Sequence, residues 1–530
     1  MLSIPNWPAI RRREIFPIAA LLVLLFLAVN WSLRAFAADD SYIGLRIASH
    51  LATTGHAWFN SGERVMAGSS PLWIVVVALC VRLFGESPLI FPVLNAVLLA
   101  LVWALLSLIL INSLKTTDAK KRALIYVLAL IVTIGLLGYA SVGQMETALA
   151  ICLLLAGVAA YCSGSQWALS FLVLAAFTRY EMVVACFIFL ILSIVLRQLR
   201  PRAVIAAAAV GALGTAFLLA QYHTVIPNTV RAKAAGYSVT HFYMAMNLIW
   251  DGPVSAKLFA FISIGWFVLI LSLALVLLDL TSATRAHLRD HWPIYTTFAV
   301  GLGIALSYFA HPTLLFFWYR PLYTFPIVAF ILFCALQKPR SPYPLLLVLF
   351  LAVWSYHFWM LVAGLAAGRP SVSPDFNEVA RVHRYLTVGR VLNTACPDSS
   401  FLTAELGGLG QSFRGNIIDG FGLASPEAIQ FQPLKVPEER PNGYIGGFSA
   451  GIVNLSRPDI IVSYDIFALS FMRSPLVNDY DKVQIPNFNQ DDRAIATDST
   501  VFGQPASLYV FFRKSGTCHP DSRTLALLTE

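Results

Sequence analysis

Residues 36–84 read FAADDSYIGLRIASHLATTGHAWFNSGERVMAGSSPLWIVVVALCVRLF, and the closing piece, Pro71–Phe84, decides the topology. It is apolar but falls short of the ~20 residues needed to cross ~30 Å of hydrocarbon, and it contains Arg82. If it spanned, Lys115, Lys120, Lys121 and Arg122 would fall on the outer side, against the bias of Lys and Arg toward the cytoplasm. Pro71–Phe84 therefore reads as an interfacial or re-entrant helix inside a first outer loop of residues 38–87.

Composition places the rest of the chain around this loop. With 58% hydrophobic and 12% charged residues and a mean hydropathy of +0.71, an ordinary soluble protein is excluded. The first apolar run, Phe16 to Ala37, follows Arg11, Arg12 and Arg13. It is too long for the core of a signal peptide, and AFAADD is a weak cleavage match, so it reads as a retained anchor with a cytoplasmic N-terminus. Further spans are expected near 88–112, 123–140, 146–163, 166–179, 181–197, 203–222, 257–279, 292–310, 321–336 and 342–362, about eleven in all. Inner loops then carry Lys120, Arg122, Arg197, Arg200, Arg202, Arg285, Arg289, Lys338 and Arg340. The pair of short spans around Arg179 could equally be a shallow hairpin.

After GRPSVSPDF the pattern becomes that of a soluble domain. NEVARVHRYLTVGRVL has helical spacing, while SSFLTAE, GNIIDGFG, PDIIVSY and SLYVFFRK read as buried or half-buried strands. The fold class is thus a multi-span α-helical membrane protein, residues 1–365, with a C-terminal α/β domain, residues 366–530, on the outer side. In a bacterium that places a multi-pass protein in the inner membrane with its C-terminal domain in the periplasm. The soluble domain holds 14 Lys and Arg against 17 Asp and Glu, leaving 23 against 11 for the membrane part. The net charge of +9 thus follows membrane topology, with an anionic lipid ligand as a further reason and nucleic acid not required. Cys396 and Cys518 are the outer domain's two cysteines and could pair in an oxidising compartment. Cys80, Cys152, Cys162, Cys186 and Cys334 lie in apolar segments and read as packing residues. No Cys/His metal spacing, Walker A loop or GxGxxG occurs, so no nucleotide site is expected.

Asp39 and Asp40 stand side by side at the mouth of the first membrane helix, where charge is expensive and marks function. Of the other acids, Glu14, Asp118, Asp279 and Asp290 fall at the cytoplasmic side and Glu86 ends the interfacial helix. Glu63, Glu146, Glu181 and Asp251 join the aspartate pair near the outer face.

These residues carry a resemblance. DDSYIGLRIASHLATTGHAWFNSGERVMAGSSPLW resembles the first periplasmic loop of GT-C glycosyltransferases, which take a sugar from a polyprenyl-phosphate donor. SVGQMETAL, AFTRYEMV, VIPNTVRAKA and LGGLGQSFRGNIIDGFGLASPE are similar, in the same order, to later landmarks of the bacterial branch containing terminal arabinofuranosyltransferases. The likeness covers most of the chain; it is specific for the superfamily and not for the sugar. It implies an outer-loop aspartate as general base toward an acceptor hydroxyl, a position that Asp39 and Asp40 share. Neighbours on one element point in different directions, so the two carboxylates are expected to divide roles, with Asp40 placed first. Helix capping of the segment beginning at Ser41 is the plain alternative for either one.

Glu146 in GQMET matches a second acidic landmark, for acceptor binding or help to the base, or else caps a helix. Glu181 in TRYEM stands where the family has a TRPEG-like motif, from which Tyr180 and Met182 depart; an Arg179–Glu181 pair explains it equally. Arg64, Arg231, Lys233 and Arg320 are the outer cations available to a donor phosphate, or are snorkelling side chains. His56, which matches a GHG-like position, His50, Tyr42, Trp318 and Tyr319 are the candidates for substrate contact. The alternatives for these are packed histidines and an interfacial aromatic belt. Trp58 and Trp73 share the latter description. Glu405, Gly407, Gly408, Gly410 and Asp419 could support a loop near the acceptor, or simply permit turns.

The resemblance implies an inverting transferase that requires no cofactor, although the acid pair could hold Mg²⁺ or Ca²⁺ through oxygen ligands. Its expected partners are a polyprenyl-phosphate-linked sugar, with arabinofuranose ahead of mannose or another hexose, and a glycan, glycolipid or protein acceptor of the cell envelope. The rival readings are a transporter or flippase of lipid-linked glycans, for which no internal repeat is visible, and a non-catalytic assembly protein on the same scaffold.

Overall fold

The computed structural model describes residues 9–32, 37–249, 256–282, 285–356, 358–359, 362, 376–440, 446–486, 500–501 and 504–529. Two compact units are formed: Met1–Arg34 with Phe91–Ala216 and Val239–Met360, and Ala35–Ile90 with Phe217–Ser238 and Leu361–Glu530. The expected boundary at 365/366, most of GRPSVSPDF and Asp251 lie outside the described residues. The same holds for the end of the first apolar run, whose helix is described as Ala9–Ser32.

Hydrocarbon offers a backbone no water, so a spanning segment must satisfy every N–H and C=O within itself, and the helical first unit fits that rule. Among the described residues, seven helices are long and apolar enough to cross a membrane: Glu14–Ser32, Ile90–Ser113, Ala119–Ser141, Pro201–Tyr222, Ile262–Thr281, Asp290–Ala310 and Phe317–Gln337. The other expected spans fall on shorter apolar helices, Thr147–Cys162, Ala168–Thr178, Tyr180–Val195 and Tyr343–Trp354. Phe317–Gln337 is buried throughout, whereas Glu14–Ser32 and Pro201–Tyr222 leave most of their apolar surface bare, as helices facing lipid do. The buried helix packs closely on Arg285–Ala310: a Cβ at Gly301 would stand 2.5 Å from the Tyr323 carbonyl oxygen, so only glycine fits there. Between Ala168–Thr178 and the turn Tyr180–Met182 the backbone is extended at Arg179, which interrupts the helix and aims that side chain inward.

The second unit joins the first loop and residues 217–238 to the C-terminal region. Pro71–Phe84 is a helix, started by Pro71 in the position where a missing N–H is harmless. It buries Trp73, Ile74, Val77, Ala78 and Val81 and leaves Val75, Leu79, Leu83 and Phe84 exposed. In the C-terminal region the strands β1 (Phe401–Thr403), β2 (Ile417–Asp419), β3 (Ile460–Tyr464), β4 (Tyr480–Ile485) and β7 (Leu508–Arg513) form one sheet in the order β2-β1-β3-β7-β4. β1 runs parallel to β2 and β3, while β7 is antiparallel to β3 and β4. A separate antiparallel pair joins β5 (Thr500–Val501) to β6 (Gln504–Pro505). The expected helix is Phe376–Ala395.

Cys396, just past that helix, is bonded to Cys518 after β7, with 5.5 Å between their Cα atoms. The link spans 122 residues of sequence, and a crosslink of that reach restricts the unfolded chain strongly. Replacing both cysteines by serine is expected to lower the unfolding free energy of this region by about 2–5 kcal/mol. Denaturant unfolding of the full chain, followed by a probe in the C-terminal region, measures it.

Candidate functional site

Asp39 and Asp40 open the helix Asp39–Thr54, and the two carboxylates meet different surroundings. Asp39 is 8% exposed; its Oδ2 accepts the Gly407 N–H and its Oδ1 the Gly408 N–H, each at 2.9 Å. Asp40 has a carboxylate 30% exposed, with Oδ2 at 3.7 Å from Lys233 Nζ. Burial, reinforced by the nearby charge of Glu405, pushes the Asp39 carboxyl up to about 7, against the downward pull of the two glycine N–H groups. Its native pKa lies above that of an unfolded aspartate, ~3.9. The unfolded chain therefore releases this proton first, and the stability contributed by protonated Asp39 is full below pH ~4 and is lost as pH rises toward 7. Thermal unfolding across that window should show this slope in the wild type and a flatter one in Asp39→Asn.

Lys233 and Arg231 lie on the helix Asn228–Gly236. Asn228 anchors this helix: its side-chain N–H groups donate to the carbonyls of Gly422 at 2.7 Å and Leu423 at 2.9 Å, and its backbone N–H donates to Met66. Arg231 is exposed. Arg64 hydrogen-bonds His223 and lies 5.7 Å from the centre of the Trp58 ring. His56 stacks on Trp58 at 4.1 Å, and His50 Nδ1 is 2.8 Å from the Trp58 carbonyl. Burial lowers the His50 pKa. Tyr42 belongs to a buried apolar cluster with Ala37, Val382 and Leu386 and is not open to a ligand.

Sequence reasoning missed Arg46, the residue that ties this loop down. The side chain is 2% exposed and donates to the carbonyls of Phe59 at 2.8 Å, Gly410 at 2.6 Å and Gly415 at 2.8 Å, and to that of Phe413. Burial brings its pKa down to about 10, so it stays charged at neutral pH, held by carbonyl dipoles. Asn60 adds a second tie, its amide pairing with both the N–H and the C=O of Ile417 at the start of β2. The sequence signal for Arg46 was a lone charge within the otherwise uncharged stretch SYIGLRIAS, residues 41–49.

The candidates of the C-terminal region are structural in their contacts. Glu405 forms a forked pair with Arg381, with nitrogen–oxygen distances of 3.0 to 3.2 Å. Asp419 is fully buried at the end of β2, its carboxylate accepting the N–H groups of Phe421 at 2.9 Å and Ala424 at 2.8 Å; burial raises its pKa to about 6. Gly410 leaves room for the Phe59 ring, 2.7 Å from where a Cβ would stand.

The remaining candidates belong to the first unit. Arg179 Nη1 contacts Glu146 Oε1 at 2.6 Å, and Nη2 and Nε hold Glu181 at 2.6 and 3.1 Å. The Tyr308 hydroxyl donates to Glu181 at 2.9 Å, and the Arg179 guanidinium lies 4.2 Å from the centre of the Tyr319 ring. One cation thus satisfies two carboxylates, Glu146 buried and Glu181 half-buried, and Glu146, although it precedes the helix Thr147–Cys162, makes no side-chain cap. Trp318 and Tyr319 are 2% and 7% exposed, too enclosed to stack on a sugar, and the Trp318 carbonyl accepts the Thr147 hydroxyl at 2.7 Å. Arg320 is also buried and donates to the Asn247 carbonyl at 3.3 Å. Among the described residues no group of three or more His, Cys, Asp and Glu side chains is arranged to hold a metal ion.

No protein-family model, curated protein or solved structure matches this chain.

Proposed function

We propose that this chain is an inverting glycosyltransferase of GT-C type in the bacterial inner membrane. In this reading about eleven spans leave the N-terminus in the cytoplasm and put the unit containing Asp40 on the periplasmic face. A polyprenyl-phosphate sugar is the donor, arabinofuranose being the first candidate, and a cell-envelope glycan, glycolipid or protein is the acceptor.

The observation that carries the reading is the pairing of a partly exposed carboxylate, Asp40, with Lys233; exposed Arg231, two residues earlier on the same helix, faces away from it. The carboxylate takes the proton of an acceptor hydroxyl as its oxygen attacks the anomeric carbon. The bond from that carbon to the phosphate oxygen breaks, and the electron pair leaves with polyprenyl phosphate. Lys233 neutralises the charge growing on the departing phosphate. When Lys233 turns to the phosphate it gives up its hold on Asp40, so donor binding itself readies the base. Glu146 and Glu181, each already committed to Arg179, take no part in proton transfer.

The test supplies the purified protein, in proteoliposomes, with polyprenyl-phosphate pentoses and hexoses and with envelope glycan acceptors. A product of inverted anomeric configuration is the expected result. Envelope glycans unchanged on deleting the gene, together with no transfer from any such donor, would overturn the proposal; donor or glycan crossing the vesicle without transfer would point to a flippase.

A further inference from the structure

The first turn of the helix Asp39–Thr54 is gripped from the C-terminal region. Both oxygens of Asp39 hold consecutive backbone N–H groups, those of Gly407 and Gly408, in the segment that follows β1. The fit leaves no space: a Cβ at Gly407 would lie 1.9 Å from the Asp39 carbonyl oxygen, and one at Gly408 2.6 Å from the Val382 carbonyl oxygen. β1 has β2 on one side and β3 on the other, so the chain crosses over at this strand. In doubly wound sheets the carboxyl end beside such a crossing opens a crevice. Here the carboxyl end of β1 leads to the glycines that Asp39 occupies, while Glu405, beside them, is held by Arg381.

We propose that Asp39 is a positioning residue: through the Gly407 and Gly408 amides it fixes the first turn of its helix, and so fixes where Asp40 presents its carboxylate. The proposal rests on the reading of Asp40 as base. Asp39 is poorly placed to be the base itself, since both its oxygens already accept backbone N–H groups and the side chain is enclosed.

Asp39→Asn and Gly407→Ala are compared with the wild type as full-length protein in proteoliposomes. Hydrogen exchange at residues 41–44 and 407–408 is the first readout and needs no sugar. Both variants are expected to lose protection there by at least about tenfold. Transfer is the second readout: kcat should fall about 10–100-fold through misplacement of Asp40, with donor KM little changed and the pH limb of the base retained. Gly407→Ala keeps the Asp39 carboxylate, so its matching loss separates positioning from chemistry. Unchanged protection in both variants overturns the proposal. So does a pH limb lost in Asp39→Asn while Gly407→Ala transfers normally, which would make Asp39 the base. Wild-type protein that moves no sugar defeats the reading of Asp40 instead, and the exchange comparison still decides whether Asp39 grips the turn.

Discussion

Asp40→Asn is expected to lower sugar transfer by about 10²–10⁴-fold, the range over which a positioned acid–base group acts. Asparagine keeps the size of the side chain and loses the proton acceptor. Because Asp40 is 30% exposed and its ion pair with Lys233 is open to water, the change should cost under about 1 kcal/mol of stability. Abundance in the membrane and thermal unfolding should therefore stay near wild type while product disappears. Asp40→Glu retains a carboxylate but displaces it along the side chain, so partial activity is expected. Donor binding, measured separately by saturation, should persist in Asp40→Asn, since Lys233 is then released from its pair. An Asp40→Asn protein that transfers sugar at the wild-type rate would end the assignment.

Arg46→Met is expected to unfold the second unit or to cost it more than about 3 kcal/mol. The methionine fills much of the space, but it leaves the carbonyls of Phe59, Gly410, Phe413 and Gly415 without their donor. Each buried acceptor so abandoned costs about 1–3 kcal/mol, discounted where water can enter. Arg46→Lys keeps the charge yet offers a compact ammonium in place of a planar fork, and should recover only part of the loss. Stability of the detergent-solubilised chain, read by unfolding in denaturant, gives the order wild type, Lys, Met. A Met variant as stable as the wild type would show that solvent replaces these contacts.

How much of this was legible beforehand depended on the range of each interaction. Apolar runs are local, so the membrane helices could be read, as could β1, β2, β3 and β7, whose segments carry consecutive Ile, Val, Leu and Phe. β4 was missed because Tyr480–Ile485 is an edge strand that buries only its ends, and its exposed Asp481 and Lys482 break the pattern. The first unit follows a similar rule: Arg179 and Glu181 are two residues apart and their pairing was one of two readings left open, whereas the reach from Arg179 to Glu146, across 33 residues, was not considered. For the aspartate pair the sequence marked the position and left the roles open. The difference between them comes from Gly407 and Gly408, more than 360 residues away, and no local signal carries that information.

That separation also sets a timetable for biogenesis. Asp39 meets Gly407 across 368 residues, and Asn60 meets Ile417 across 357. At about 5–20 residues per second, the first loop leaves the ribosome roughly 20–70 s before the strand it must pair with exists. During that interval Arg46 and Asp39 have no partners among the later glycines, and the loop is a target for proteases and for premature association. Contacts of such long range also form slowly once the chain is complete. A cell making this protein therefore needs residues 407–417 to arrive before the first loop can function, so truncations that remove them should disable residues encoded at the start of the gene.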